Sequence, residues 1–108
     1  MAVMELSPSE FAAKAGEAAQ LLRALAHEAR LMVLCQLVEG ESSAGGLQEM
    51  TALSQSALSQ HLAKLRAEGL VATRREAQTI YYRLADPRAA QLLETLAGIF
   101  CPPKRKRK

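Results

Sequence analysis

The hydrophobic period of this chain changes abruptly at Gly69, and few small folds accommodate such a change. Before it, Leu58, Leu62 and Leu65 recur at helical spacing and form a narrow apolar seam that runs to Glu68. After it, Leu70 to Arg75 and Thr79 to Leu84 hold β-branched and aromatic residues in two short runs, with Glu76-Ala77-Gln78 between them. Two such runs read as a β-hairpin, although the strong Asn-Gly kind of turn is missing. Gly69 serves as the helix stop between the two regimes.

The segments around this boundary read as helices. Ser7-Pro8-Ser9-Glu10 opens the first, with Ser7 as N-cap, Pro8 at the first helical position and Glu10 at the capping-box position. Phe11, Ala15, Ala18, Leu22 and Leu25 then follow helical spacing. A second helix starts between Ala26 and Glu28, and Leu31, Leu34, Cys35 and Val38 predict one buried stripe before Gly40 stops it. Ser42 to Gly46 reads as a loop, and Leu47, Met50 and Leu53 suit a short third helix ending near Ala52. Ser54-Gln55-Ser56-Ala57 is a turn and a fresh N-terminus. Asp86-Pro87 caps a last helix containing Leu92, Leu93, Leu96, Ile99 and Phe100, and Pro102-Pro103 stops it after Cys101.

The order is four helices, hairpin, helix, with no repeat or interior linker. The expected fold is mainly α with a small β-hairpin, a winged helix-turn-helix of order α-α-α-α-β-β-α spanning residues 1–103. Residues 104–108 form a basic tail. A chain of 108 residues carries one modest core. Domains of this size often complete their burial by pairing.

Charge by itself does not argue for nucleic acid. The formal net charge is +3, but Lys104, Arg105, Lys106, Arg107 and Lys108 supply five of the 14 basic residues. The remaining nine Lys and Arg face 11 Asp and Glu, so the body is net −2. The tail admits three readings: a solvated end, added phosphate affinity, or an element that tunes a nearby thiolate. The N-terminus lacks the basic and apolar regions of a signal peptide. The longest strongly apolar run, Leu31 to Cys35, is far too short to span a membrane. The chain is therefore expected in the cytoplasm, without membrane contact, with Cys35 and Cys101 resting as thiols.

The case for DNA rests on local chemistry. A helix fits the major groove, and polar side chains near its N-terminus reach base edges. Gln55 and Gln60 each offer donor and acceptor, so either can pair bidentately with adenine. Ser54, Ser56 and Ser59 are short and let the backbone approach phosphate, which a helix N-terminus also attracts. His61 and Lys64 lie further along the same helix, while Arg74, Arg75 and Gln78 sit at or near the hairpin tip. Ser and Gln at a helix start also serve as ordinary caps. Their position inside a helix-turn-helix followed by a hairpin is what favours DNA.

Three segments resemble the ArsR/SmtB family. Leu25-Ala26-His27-Glu28-Ala29-Arg30-Leu31 is similar to its second-helix motif, and Leu53 to Val71 to its recognition-helix motif. Arg75-Glu76-Ala77-Gln78-Thr79-Ile80-Tyr81-Tyr82 resembles its wing. The likeness spans roughly residues 8 to 101. One departure is Glu28, where the family often has Pro after the His. The resemblance implies a symmetric homodimer, built mainly from the first and last helices, bound to an imperfectly palindromic operator in double-stranded DNA.

Many members of that family sense metals, which takes clustered Cys, His or carboxylates. Here Gly46-Leu47-Gln48-Glu49-Met50 lacks the Cys-x-Cys pair of one known site type, and the last helix lacks the His of another. His27 and His61 read as structural or DNA-facing, so neither metal nor cofactor is expected. Cys35 and Cys101, each taken alone, read as a core residue and an incidental one. Together, Arg30 to Leu37 and Phe100-Cys101 resemble the dithiol subgroup containing SqrR, BigR and HlyU. That resemblance implies that reactive sulfur species or oxidants act as inducers by bridging Cys35 to Cys101, through a disulfide or a longer sulfur chain. The alternative is a thiol-based repressor responding to arsenic or antimony. A thiol enzyme has no Cys-x-x-Cys motif behind it, and a redox-blind architectural protein would be indifferent to both cysteines.

Overall fold

The computed structural model describes residues 5 to 101. Eight elements follow in order: α1 (Pro8–Leu25), α2 (Glu28–Val38), β1 (Ser42–Ser43), α3 (Ala44–Thr51), α4 (Gln55–Ala67), β2 (Val71–Glu76), β3 (Thr79–Leu84) and α5 (Pro87–Phe100). The basic tail and Pro102-Pro103 lie outside the described residues.

Local chemistry sets the helix starts. Ser7 accepts from the Glu10 amide and its own amide donates to the Glu10 carboxylate at 2.8 Å, a complete capping box. Ser54 caps α4 by accepting from Ala57 N, and Asp86 caps α5 by accepting from Arg88 N. His27 is the N-cap of α2, its Nδ1 accepting from Ala29 N at 3.1 Å. Between α3 and α4 the chain turns at Ala52, which adopts a left-handed conformation (φ 59°). Gly69 (φ 78°) ends α4, and the amide of Leu70 closes back on the Leu65 carbonyl at 2.9 Å.

The core lies between α2, α4 and the base of the hairpin. Val33 and Leu34 of α2, Leu47 of α3, Leu65 of α4 and Leu93 of α5 are fully buried, with Leu58, Leu62, Leu70 and Val71 nearly so. The expected stripe on α2 is rotated. Val33, Leu34 and Leu37 form its buried centre, while Leu31, Cys35 and Val38 pack half-buried at its flanks. The reason is that α2 is covered on several sides, by α1, α3, α5 and β3, so a single periodic line underestimates its buried face.

Two further expectations need correction, the loop at Ser42 to Gly46 and the length of the hairpin turn. Ser42 and Ser43 are not loop but a two-residue strand, paired with Tyr82 and Tyr81 of β3. The sheet is therefore three-stranded and antiparallel, in the order β1-β3-β2. With Ser43 as N-cap, α3 begins at Ala44, and its first turn passes so close to β1 that a Cβ on Gly46 would meet the Ser42 hydroxyl at 2.8 Å. The hairpin loop is only Ala77-Gln78, since Glu76 still pairs with Thr79. Ala77 takes the left-handed conformation (φ 56°) that Gly or Asn would adopt more readily. On α1, Phe11, Ala15, Ala18 and Leu22 are exposed, and only Ala24 and Leu25 of the last turn are buried.

Candidate nucleic-acid interface and the two thiols

One face of α4 is committed to the core through Leu58, Leu62 and Leu65. At about 100° per residue, Ser56, Gln60 and Lys64 fall on the opposite face, and Gln55, Ser59 and His61 on its flanks. Gln55, Ser56, Ser59, Gln60 and Lys64 are all exposed. Ala63 is exposed on the same outward face. A search for polar side chains passes over it, yet a small residue there keeps the surface low and can meet a thymine methyl. The Ser54 hydroxyl is occupied as the helix cap.

His61 is set apart from these. It is half-buried, with its ring 4.8 Å from that of His27 at 55°. Burial holds its pKa below the ordinary value, and the neighbouring His27 and Arg30 charges push the same way. It therefore ties α4 to the start of α2. Arg30 donates from Nη1 to the Ala24 carbonyl at 3.1 Å, linking α2 to α1 as well.

The wing places its candidates unequally. Gln78 is exposed in the loop and Arg75 is exposed on β2. Arg74 is engaged within the protein, by Glu41, Glu76 and the ring of Tyr81. The Glu41 carboxylate is held below its usual range by that contact.

Both cysteines are free thiols. Cys35 is half-buried on α2, and Cys101 is exposed at the C-cap of α5, the helix that packs against α2. Burial pushes the Cys35 thiol up, and charge on Cys101 pushes it further. The packing of α5 on α2 thus sets the helix that ends at Cys101 against the helix that holds Cys35, far apart as they are in sequence. Among the described residues, no three His, Cys, Asp or Glu side chains gather as a metal ion would need. No helix among them is long and apolar enough to cross a membrane.

Residues 27–73 match the family described as bacterial regulatory protein, arsR family. The chain is 52% identical over 91 residues to the biofilm growth-associated repressor of Agrobacterium fabrum, covering 84% of this chain and 78% of that one. Among solved structures, reduced HlyU from Vibrio cholerae superposes with a TM-score of 0.83 at 46% identity, covering 86% of this chain and 98% of the other. The transcriptional repressor BigR from Xylella fastidiosa superposes with a TM-score of 0.81 at 44% identity, covering 91% and 100%. With a recognition helix, a wing and relatives of this closeness, the chain belongs to the ArsR family of winged-helix DNA-binding transcriptional regulators, which are not enzymes.

Proposed function

We propose that this regulator binds operator DNA as a reduced symmetric homodimer in the cytoplasm and releases it when Cys35 and Cys101 of one protomer become bridged. The observation that carries the reading is the packing of α5 on α2, which sets the helix ending at Cys101 against the helix that holds Cys35. The dimer is supported by the apolar surface left on the outer helices: Phe11 and Leu22 on α1 are 49% and 53% exposed, and Ile99 and Phe100 on α5 are 66% and 78% exposed. Pairing through these helices sets two recognition helices about 34 Å apart, one turn of DNA. Gln60, Ser56 and Ser59 then face base edges, with Gln55, Lys64, Arg75 and Gln78 on the flanking backbone.

The thiol chemistry divides by exposure. Cys101 is accessible and attacks first, while Cys35, whose thiolate is disfavoured by burial, resolves. With an organic persulfide RSSH, the Cys101 thiolate takes the outer sulfur and expels the thiolate RS⁻. The Cys35 thiolate then attacks the inner sulfur of the new Cys101 persulfide and expels hydrosulfide, HS⁻. Both cysteines are oxidised, and the persulfide is reduced to a thiol and hydrogen sulfide. If the thiols sit further apart than a disulfide tolerates, more sulfur atoms extend the bridge. Reduced HlyU among the solved relatives makes redox state a variable of that protein, and BigR is described as a repressor. Release on bridging is therefore read as relief of repression.

The mechanics follow from the elements joined. α2 packs against α3, which packs against α4, and its N-cap His27 meets His61 of α4, while α5 carries the outer apolar face. A covalent link between them changes the angle between the DNA-reading and pairing halves. Cys35→Ser and Cys101→Ser are each expected to bind operator normally and to resist release by persulfide, with mass spectrometry showing a bridge only in the parent. Persulfide-driven release of either single variant would defeat the paired-thiol mechanism.

A further inference from the structure

The adjacent wing arginines have different surroundings. Strand alternation sends them to opposite faces of the sheet. Arg75 pairs across from Ile80, on the face that carries Val71, Tyr82 and Leu84 towards the core. Arg74 pairs across from Tyr81 on the outer face, its guanidinium 4.6 Å above that ring. Beyond the ring, Nε donates to both Glu41 oxygens at 2.8 and 3.0 Å, and Nη2 meets Glu41 Oε1 at 2.8 Å. On the other side Nη1 donates to Glu76 Oε1 at 2.9 Å. Glu41 directly precedes β1, which pairs with β3 and not with β2. Arg74 therefore reaches over the whole central strand, tying the wing to the segment that enters α3 through its cap Ser43.

Two carboxylates on one guanidinium leave the trio net negative. Arg83, exposed on the same face, is the next cation and also acts on Glu41, but the Arg74 N–H groups that a phosphate would need are already turned to carboxylates. A fork held by a bidentate carboxylate is also a fixed geometry, suited to setting the angle of a two-stranded wing. We propose that Arg74, with Glu41, is a positioning residue that fixes the wing against the helix-turn-helix, and that Arg75 carries the wing's phosphate contact. Arg75 makes no ion pair among the described residues. The proposal rests on the DNA-docking reading above.

The two roles predict opposite signs for Glu41→Gln. The probe is a duplex that the wild-type protein enriches from a random pool, titrated by fluorescence anisotropy across a potassium chloride series. For a positioning clamp, Glu41→Gln and Arg74→Gln each weaken binding by roughly tenfold, and the double variant is no weaker than either. Arg75→Ala lowers the slope of log affinity against log salt by about 0.9, the value of one phosphate contact. Tighter binding and a steeper salt slope in Glu41→Gln would instead assign Arg74 to phosphate and overturn the proposal. Hydrogen exchange of the β2 and β3 amides in the free protein separates this from the docking reading. Faster exchange in both Gln variants supports the clamp even if no duplex is enriched, and unchanged exchange refutes it.

Discussion

The DNA-reading half of the chain is finished within one protomer, and the outer helices are not. In α4 every large apolar residue is covered: Leu58 and Leu62 are 2% exposed and Leu65 is not exposed at all. In α1 and α5 the same kinds of residue stand in solvent, Phe100 at 78%. The contrast lies in what each helix has to pack against. α4 has α3 and β2 beside it and a hairpin at its end. α5 meets α2 and β3 with only part of its surface, and α1 reaches the body near its last turn. An amphipathic helix uncovered on its apolar side is a surface awaiting a partner. One half thus has its apolar surface covered, and the other leaves the surface on which the proposed pairing rests.

The sharpest break of this comparison is a pair of substitutions of opposite consequence. Leu65→Ala removes a fully buried side chain and is expected to destabilise the fold by about 2–5 kcal/mol, visible as a large fall in Tm. Ile99→Asp, on the exposed apolar face of α5, should leave Tm of the protomer nearly unchanged. Sedimentation should then show a monomer, with operator affinity down more than about a hundredfold, or ~3 kcal/mol. A dimer that survives Ile99→Asp would move the pairing surface elsewhere.

Within the DNA-reading half, Gln60→Ala should weaken operator binding by about 1–3 kcal/mol with no change in Tm, the loss of one bidentate base contact. A smaller effect is expected from pH. The folded pKa of His61 lies below its ordinary value of 6.5. The unfolded chain therefore takes up the proton first as pH falls. The associated stability is present above 6.5 and is lost progressively below it, towards the lower folded pKa. His61→Gln should flatten the stability-against-pH curve as pH falls below 6.5. An unchanged slope would mean that the His27–His61 pair does not couple α2 to the recognition helix. The smallest expected change is Ala77→Gly, which relieves the left-handed φ at the hairpin tip and should raise stability by no more than ~1 kcal/mol.

The parts of the fold that could be read in advance are those whose causes are local. Ser7, Ser54 and Asp86 cap helices because their side chains reach an amide two or three residues on. Leu58, Leu62 and Leu65 share a face because a helix turns about every 3.6 residues. Gly69 stops α4 because a positive φ costs it little. These facts need no neighbour. They were enough to expect four helices, a hairpin and a helix, and to place Gln60 and Ser56 outward.

What the tertiary structure alone decided involves residues far apart in the chain. β1 is two residues long, too short for any periodicity, and exists only because β3 passes beside it. The buried face of α2 is broader than its stripe because helices before and after it in the chain pack onto it. The helices that hold Cys35 and Cys101 meet only once α5 lies on α2. Arg74 and Arg75 are equivalent as letters. One is bound over Tyr81 to Glu41 and the other is open, because alternation about a strand and the approach of β1 place a carboxylate on one side only. Sequence carries the periodicity and the caps, whose energies are set within a turn of helix. Which charges meet is set by the packing of elements, and that packing is known only when the chain is folded.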